Sequence, residues 1–330
     1  MADITVLGSG GWGIALGLTL FENGHNVTLW TKFSEEANSL NAARESKLLP
    51  GITIPKEIAI TTDTSSILTC DIAVMAVPSF AVRETAKLLK NKKNGIIVNV
   101  AKGFEKESLK RLSVTIEEET TLPVIVLSGP SHAEEVARKV PTSLVAAGNN
   151  YDDVHTVIKT FSCQTLRIYS TNDKCGVELG GALKNVIAVA GGFCDGLQLG
   201  DNTRAALITR GLVEIARLGT AMGADEKTFA GLSGLGDLIV TCTSKHSRNH
   251  RFGELVAKGM DVNEALKTVG TVEGYHAAAL TMKLAKKYNV TMPITAECCK
   301  VMYEGMPVKD AVKHLMTRPV CDETETTWIK

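Results

Sequence analysis

Short, continuous apolar runs dominate the first half of the chain, and amphipathic segments such as residues 82–89 and 109–118 separate them. Such runs are typical of buried β-strands. The predicted strands cover residues 4–7, 27–30, 72–77, 96–100, 124–127, 144–147 and 166–169. Continuously apolar strands alternating with helices predict a parallel sheet with helices on both faces, and right-handed crossovers make this a doubly wound α/β domain.

The hydrophobic period changes beyond the last of these strands. Apolar residues recur at spacings of three, four and seven, which predicts helices near residues 203–223, 251–258, 273–287 and 307–316. Asp225, Asp261 and Pro307 are suitable helix-start residues, and no further strand is predicted. We therefore predict an α/β domain over residues 1–175 and an all-α domain over residues 176–330.

A glycine-rich turn lies between the first predicted strand and the first helix. Gly8, Gly10 and Gly13 have the G-x-G-x-x-G spacing of dinucleotide-binding turns. In such turns the first glycine permits the tight turn, the second lets the backbone approach a pyrophosphate, and the third lets the helix pack closely on the strand. A glycine-rich turn before an ordinary helix is the alternative. The position between strand and helix favours nucleotide binding.

Charge and cysteine content exclude several function classes. The 36 basic and 36 acidic residues cancel, so no global field attracts the protein to nucleic acid or to an anionic membrane. The eight cysteines form no C-x-x-C pair, which favours free thiols in a reducing compartment. We see neither a basic leader nor an apolar run of about 18 residues. A soluble, cytoplasmic protein without nucleic-acid or membrane partners is expected.

The end of the second strand bears on cofactor choice. In NAD-binding folds an acidic residue there holds the ribose 2′-hydroxyl, but this chain has Trp30 and Thr31 followed by Lys32. The missing carboxylate and the adjacent lysine predict that NADP(H) is accepted. A solvated loop lysine is the alternative for Lys32, and NAD use stays open.

Polar residues follow two other strands at their carboxyl ends, where ligands of parallel sheets gather. Lys102 lies in AKG, and its position suits an anionic ligand, although a surface lysine is the alternative. Ser131 lies in SGPSHA and is either a helix N-cap, a ligand contact or both.

Lys184 is the only charged residue between Glu178 and Asp195, in an apolar and glycine-rich helical segment. Burial would disfavour its ammonium form and move its pKa towards the range useful for proton transfer. The alternative is a lysine whose head group reaches water.

A basic segment further along predicts an anion site. Arg248 offers a fork of donors suited to phosphate, and Asn249 adds an amide at the start of the next helix. A plain basic loop is the alternative. His246 and His250 are four residues apart, but the segment has no H-E-x-x-H carboxylate, so no metal site is predicted.

Eight segments in order, GSGGWGIALG, AVPSFAVR, AKGFE, SGPSHAEEVA, ELGGALKNVIAVAGG, GLGDLIVTCTS, SRNHRFG and VEGY, make the chain resemble the bacterial-type NAD(P)-dependent glycerol-3-phosphate dehydrogenases. The resemblance implies a Rossmann domain followed by an all-α domain of the 6-phosphogluconate dehydrogenase C-terminal type. It also implies interconversion of sn-glycerol 3-phosphate and dihydroxyacetone phosphate with NADP or NAD, which supplies glycerol 3-phosphate for phospholipid synthesis.

The resemblance also implies roles for individual residues. Lys184 is matched to the family's proton-transferring lysine, with Asp237 beside it as a second catalytic residue. The implied substrate contacts are Lys102, Gly129, Ser131, Lys184, Asp237, Ser247, Arg248 and Asn249. The cofactor contacts, including those from the glycine turn and the second strand, are Gly8, Gly10, Gly11, Trp12, Gly13, Lys32, Lys102, Ala133, Arg248, Val272 and Glu273.

Two departures from the family pattern are visible. Gly11 replaces a frequent serine, and the segment around Lys32 lacks the His or Arg that relatives often have. Two other functions stay open: a related 3-hydroxyacid or 6-phosphogluconate dehydrogenase, and a non-catalytic NAD(P)-sensing protein. We expect Lys102 and Lys184 to converge on one crevice. A homodimer is compatible with the sequence, which does not fix the oligomeric state.

Overall fold

The computed structural model describes residues 1–319 and residue 323, and the chain forms two compact units, Met1–Lys174 and Cys175–Lys330. Within the fully described first unit, eight strands form one sheet in the order β3-β2-β1-β4-β5-β6-β7-β8. The strands are β1 (Asp3–Leu7), β2 (Asn26–Trp30), β3 (Ala59–Thr61), β4 (Ile72–Met75), β5 (Ile96–Asn99), β6 (Val124–Ser128), β7 (Thr142–Ala147) and β8 (Leu166–Thr171).

Helices connect these strands and cover both faces of the sheet, as the continuous apolar runs require. Ile4 and Val6 belong to one buried cluster, whereas Leu7 and Met75 belong to a second cluster on the opposite face. The helices are α1 (Gly11–Glu22), α2 (Ser34–Ala43), α3 (Ser65–Thr69), α4 (Val82–Ala86), α5 (Leu112–Glu117), α6 (Ala133–Ala137) and α7 (Tyr151–Phe161). The predicted doubly wound α/β fold is confirmed.

Three details of the first-unit prediction are wrong. The edge strand β3 was not predicted, because three residues are too few to show a period. Strand β7 runs antiparallel to β6, because the chain between them reverses through the short α6 without a full crossover. Leu109 has a φ of 59° and lies outside the helix predicted from it, which begins at Leu112.

The described part of the second unit, residues 175–319 and 323, contains no strand and confirms the predicted helical half. Asp225 and Asp261 cap helical segments with their side chains, and Pro307 precedes the last helix, as predicted. The helices are α8 (Lys174–Gly196), α9 (Gly200–Ala221), α10 (Asp237–Thr243), α11 (Arg248–Ala257), α12 (Val262–Val269), α13 (Glu273–Lys287), α14 (Pro293–Glu304) and α15 (Val308–Met316).

Helix α8 is the centre of this unit, and its glycines let neighbouring backbones approach closely. A Cβ on Gly192 would lie 2.0 Å from the carbonyl oxygen of His250, and one on Gly253 of α11 would lie 2.1 Å from that of Val189. Helices α8 and α11 therefore meet backbone to backbone. This contact fixes α11, which carries Arg248 and Asn249, against the helix that carries Lys184.

Helix α8 also corrects the expectation that no segment could span a membrane. By length and composition alone it passes that test, since an 18-residue window has a mean hydropathy of 1.3. The window is 100% buried inside the protein, as in the core helix of a soluble protein. Its apolar composition is explained by packing.

Gly192→Ala should lower the free energy of unfolding by about 3 kcal/mol, because the new methyl group meets backbone that cannot move aside. The neighbouring Gly191→Ala is the matched control, since its Cβ would come no closer than 3.3 Å to Cys242. We expect a change of less than about 1 kcal/mol there, with alanine's helix propensity offsetting mild crowding. Urea unfolding followed by circular dichroism measures both, and equal losses would contradict the close α8–α11 contact.

Candidate active site

The predicted dinucleotide turn follows β1 directly. Gly8 has a φ of 118°, and a Cβ there would lie 2.8 Å from the carbonyl oxygen of Ala76. A Cβ on Gly13 would lie 2.2 Å from the carbonyl oxygen of Gly8, so α1 packs directly on the turn. Gly10, by contrast, faces open space, with no atom within 4 Å of its Cβ position. The three glycines thus meet three different geometric requirements, as the motif predicts.

The same turn fits the pyrophosphate of a dinucleotide. Gly10 is the N-cap of α1, without a side-chain cap and without an acidic residue in the first turn, so the N–H groups there suit an anion. The hydroxyl of Ser9 is buried and has no hydrogen-bond partner in the part of the chain that the structure describes. An open glycine, uncapped amides and a buried polar atom without a partner together form a cradle for phosphate oxygens.

Further predicted cofactor contacts lie beside this turn. A Cβ on Gly11 would lie 3.6 Å from the Cβ atoms of Ala133 and Leu48, which is ordinary van der Waals contact. The serine that relatives often carry at this position would therefore fit here. Trp12 and Ala133 are partly buried against the core of the unit. The structure thus brings Gly11 and Ala133 together, as the prediction requires.

Two predicted substrate contacts of the first unit, Lys102 and Ser131, donate hydrogen bonds to the carbonyl oxygen of a third, Gly129. Lys102 Nζ donates a hydrogen bond of 3.2 Å to the Gly129 oxygen, and Ser131 Oγ donates one of 2.9 Å to the same atom. The alternative role of Ser131 as a helix N-cap is wrong, because α6 begins at Ala133 with His132 as the preceding cap residue. The amine of Lys102 and the hydroxyl of Ser131 therefore lie at one point beyond β5 and β6.

The end of β2 differs from what the sequence indicates. Neither Trp30 nor Thr31 is acidic, but the Thr31 hydroxyl donates a hydrogen bond to the Glu36 carboxylate from the first turn of α2. Lys32 is exposed and makes no hydrogen bond or ion pair within residues 1–319. The fold thus places the Glu36 carboxylate at the end of β2, where the sequence predicts no acidic side chain.

In the second unit, Lys184 is buried and paired. Its amine forms an ion pair with Asp237, and the two side chains are 7% and 1% exposed. The same amine donates a hydrogen bond of 2.6 Å to Thr241 Oγ1, whose own hydroxyl donates one of 2.6 Å to the Asp237 carbonyl oxygen. Lys184 is therefore almost fully shielded from water. The carboxylate favours the ammonium form and opposes the effect of burial.

Thr241 is a site residue that sequence reasoning missed. It lies four residues after Asp237 on α10, so both side chains share one helix face towards Lys184. That spacing is the signal that could have found it. A π-helical turn at Leu232–Gly236 precedes α10, and such turns are frequent at functional sites.

The predicted anion-binding segment, residues 247–249, contains two residues that bond to the protein and one that is exposed. Ser247 Oγ caps α11 by accepting a hydrogen bond from the His250 N–H, at 3.2 Å. Asn249 donates to Asn185 Oδ1 at 3.0 Å and accepts from the Gly274 N–H at 2.9 Å, which ties α11 to α8 and α13. Arg248 is exposed and makes no hydrogen bond or ion pair among the described residues. The guanidinium is thus the group that the segment presents to a ligand.

The last predicted cofactor contacts lie close to this segment. Val272 is the N-cap residue of α13 and Glu273 is its first residue, immediately before the Gly274 that Asn249 holds. The structure therefore brings Arg248, Val272 and Glu273 to neighbouring helix starts within the second unit.

The histidine and cysteine side chains nearby have other roles. His250 Nε2 lies 2.8 Å from Asp195 Oδ2, and the described residues contain no group of His, Cys, Asp and Glu able to hold a metal ion. Burial raises the pKa of Cys242 to about 12 and that of Cys194 to about 11. Both therefore stay protonated near neutral pH and are poor nucleophiles.

The comparisons with known proteins agree along the whole chain. The family model described as the NAD-dependent glycerol-3-phosphate dehydrogenase N-terminus matches residues 3–154, and that of the C-terminus matches residues 173–313. Glycerol-3-phosphate dehydrogenase [NAD(P)+] of Fusobacterium nucleatum is 49% identical, with 96% of this chain and 97% of the relative covered. The enzyme of the same name from Moorella thermoacetica is also 49% identical, with 98% of each covered.

A solved structure matches nearly the whole chain as well. The crystal structure of glycerol-3-phosphate dehydrogenase from Coxiella burnetii superposes with a TM-score of 0.92 at 37% identity, covering 96% of this chain and 98% of that chain. A dinucleotide-type glycine turn on a doubly wound sheet, together with these relatives, identifies a nicotinamide-dependent dehydrogenase. The chain belongs to the NAD-dependent glycerol-3-phosphate dehydrogenase family. The family resemblance, the enzyme class and the nicotinamide cofactors predicted from the sequence are confirmed.

Gly13→Ala should raise the dissociation constant for a nicotinamide dinucleotide by at least about 100-fold, because its methyl group would push α1 off the glycine turn. Gly11→Ala is the comparison on the same helix: alanine keeps the backbone N–H of this expected cofactor contact, and its Cβ meets only ordinary contacts. It should change the constant by less than about threefold. Titration calorimetry measures both, and equal binding by the two variants would contradict the assignment of the turn.

Proposed function

We propose that this chain interconverts sn-glycerol 3-phosphate and dihydroxyacetone phosphate with NAD(P)(H), and so supplies glycerol 3-phosphate for phospholipid synthesis. The observation that carries the mechanism is the buried Lys184–Asp237–Thr241 cluster. An amine held away from solvent beside a carboxylate and a hydroxyl has the chemistry of a general acid and base for an alcohol–ketone pair. The nicotinamide, when bound, accepts or supplies the hydride.

The proton step falls to Lys184. In reduction its ammonium group donates a proton to the alkoxide oxygen that forms at C2. In oxidation the neutral amine takes the proton of the C2 hydroxyl. Asp237 stabilises the ammonium form electrostatically, and Thr241 accepts one of its N–H groups, which fixes the direction of the others.

Anchorage of the substrate phosphate falls chiefly to Arg248. Its guanidinium has the donor fork that suits phosphate, and no protein partner in the described residues competes for it. Ser247 and Asn249 hold the start of α11 in place, so that the phosphate is fixed and the reacting carbon is positioned. The amine of Lys102 and the hydroxyl of Ser131, joined at Gly129, complete the assigned substrate contacts.

The two halves have separate tasks in this proposal. Residues 1–175 bind the dinucleotide through the turn from Gly8 to Gly13 and through Lys32, Lys102 and Ala133. Residues 176–330 bind the substrate and carry the catalytic lysine, with Arg248, Val272 and Glu273 as further cofactor contacts. We propose that the protein is cytoplasmic, and a homodimer is compatible with the sequence. None of the seven described cysteines forms a disulfide, which supports the proposal of a reducing compartment.

Lys184→Met should lower kcat by about two to four orders of magnitude, because the titrating amine is lost, while the dissociation constant for the dinucleotide changes little. The single variant leaves the Asp237 carboxylate buried without its partner, which costs about 3–5 kcal/mol. The double variant Lys184→Met/Asp237→Asn removes that charge and should show the same loss of kcat in a folded protein.

Lys174→Met is the matched control for this loss. Lys174 lies on the same helix, is also buried, and is paired with Glu117. Steady-state kinetics of dihydroxyacetone phosphate reduction should give a near-normal kcat for this control. A near-normal kcat for the Lys184→Met/Asp237→Asn variant would remove Lys184 from the proton step.

Arg248→Ala should raise KM for dihydroxyacetone phosphate, with a loss of about 2–4 kcal/mol of binding free energy, because a charge-assisted contact to phosphate is removed. Arg251→Ala is the control, since Arg251 is an exposed arginine on the same helix. Initial-rate measurements over a range of substrate concentrations separate KM from kcat. Equal effects at both arginines would mean that general charge, rather than Arg248, attracts the substrate.

A further inference from the structure

A carboxylate is fixed at the carboxyl end of β2. Thr31 is the first residue after the strand and is 3% exposed. Its backbone N–H donates a hydrogen bond of 3.0 Å to the Thr61 oxygen, and its hydroxyl donates to Glu36 Oε2. Because the backbone of Thr31 is fixed by this hydrogen bond to β3, its hydroxyl fixes the position of the Glu36 carboxylate.

The strand end that precedes Thr31 contacts the glycine turn. The Gly8 N–H donates a hydrogen bond of 2.8 Å to the Trp30 oxygen, so the turn and the end of β2 are directly linked. Dinucleotide-binding folds place the acidic residue that recognises the ribose at this strand end. In this chain the carboxylate comes from the following helix, and a threonine hydroxyl takes the usual sequence position.

One oxygen of the Glu36 carboxylate can still accept a hydrogen bond. An ionised carboxylate has two oxygens and about four acceptor positions. Thr31 occupies one position on Oε2, and Oε1 accepts no hydrogen bond from any residue in the described part of the chain. Oε1 can therefore accept a hydrogen bond from a ligand hydroxyl.

Lys32 is the opposing charge at this strand end. It is exposed and makes no hydrogen bond or ion pair within residues 1–319. Glu36, which the Thr31 hydroxyl holds, is therefore the charge with the fixed position.

We infer that Glu36 sets the cofactor choice: it accepts a hydrogen bond from the ribose 2′-hydroxyl of NAD(H) and repels the 2′-phosphate of NADP(H). The enzyme therefore prefers NADH, although it accepts both. This inference rests on the proposed use of a nicotinamide dinucleotide. It gives the role of discriminating between the two forms to Glu36 rather than to Lys32.

Direct binding to the full-length protein, without substrate, tests this inference. Titration calorimetry with NADH and with NADPH should give a dissociation constant about tenfold lower for NADH in the wild type. Glu36→Gln keeps the shape but removes the charge, and should lower the constant for NADPH about tenfold while raising that for NADH a few fold. Tighter binding of NADPH than of NADH by the wild type would overturn the inference.

Glu35→Gln is the matched control, since it removes the same charge from the neighbouring position of α2 and leaves the Thr31 contact intact. It should leave the ratio of the two constants within about twofold of the wild type. Equal changes of the ratio in the Glu35 and Glu36 variants would mean that only long-range charge acts, which overturns the assignment to Glu36.

Thr31→Val removes the hydroxyl that holds Glu36 and should reduce the preference for NADH, whereas Thr31→Ser should keep it. Thermal unfolding of each variant reports whether the fold is intact. Failure of the wild type to bind either dinucleotide would contradict the proposed function as well. A preserved NADH preference without reduction of dihydroxyacetone phosphate would contradict the proposed function alone.

Discussion

The buried ion pair between Lys184 and Asp237 is the contact on which the proposed chemistry depends. A charged amine inside an apolar helix bundle is expensive to bury, and a single partner of good geometry rarely compensates in full. Thr241 adds a hydrogen bond to the amine and satisfies the backbone of its own helix. The printed contacts use two of the three ammonium N–H groups, and the third is the group that the proposed chemistry assigns to the substrate oxygen.

Glycines of α8 let neighbouring segments approach closely enough for Lys184 and Asp237 to pair. A Cβ on Gly180 of α8 would lie 2.5 Å from the Ser233 oxygen, in the π-helical turn that leads into α10. The same helix meets α11 through Gly192. These close approaches bring Asp237 and Thr241 on one side, and the start of α11 on the other, within reach of α8. The dinucleotide turn uses the same means, since Gly13 lets α1 rest on the carbonyl of Gly8.

Local patterns in the sequence were sufficient for the fold class, for most strands of the sheet and for the glycine turn. The isolated charge in an apolar segment predicts Lys184, the basic segment predicts Arg248, and the family motifs add the catalytic role of Asp237. The structure adds the physical division within SRN, in which Ser247 and Asn249 are tied to the protein and Arg248 is open. Burial and pairing of Lys184 depend on contacts with α10, which no period within α8 can show.

The features that the sequence did not reveal are tertiary ones. Strand β3 is defined by pairing with β2 rather than by its own three residues, and the reversal of β7 depends on the path of a short connection. The sequence rule for NAD-binding folds misses Glu36 because it considers only the last residues of β2. The short loop before α2 brings the first turn of that helix back over the strand end. An acidic residue in that turn is the signal that could have identified it.

The proton step is tested most directly by the pH dependence of kcat/KM measured in both directions on the same enzyme. If Lys184 is the group that exchanges the proton, reduction requires its protonated form and oxidation its neutral form. The rate of reduction should then be constant at low pH and fall at high pH. Oxidation should rise and level off around the same midpoint, and Thr241→Val should move both midpoints together. A reduction rate that falls steadily with pH without a plateau, or midpoints that Thr241→Val leaves unmoved, would contradict proton transfer by Lys184.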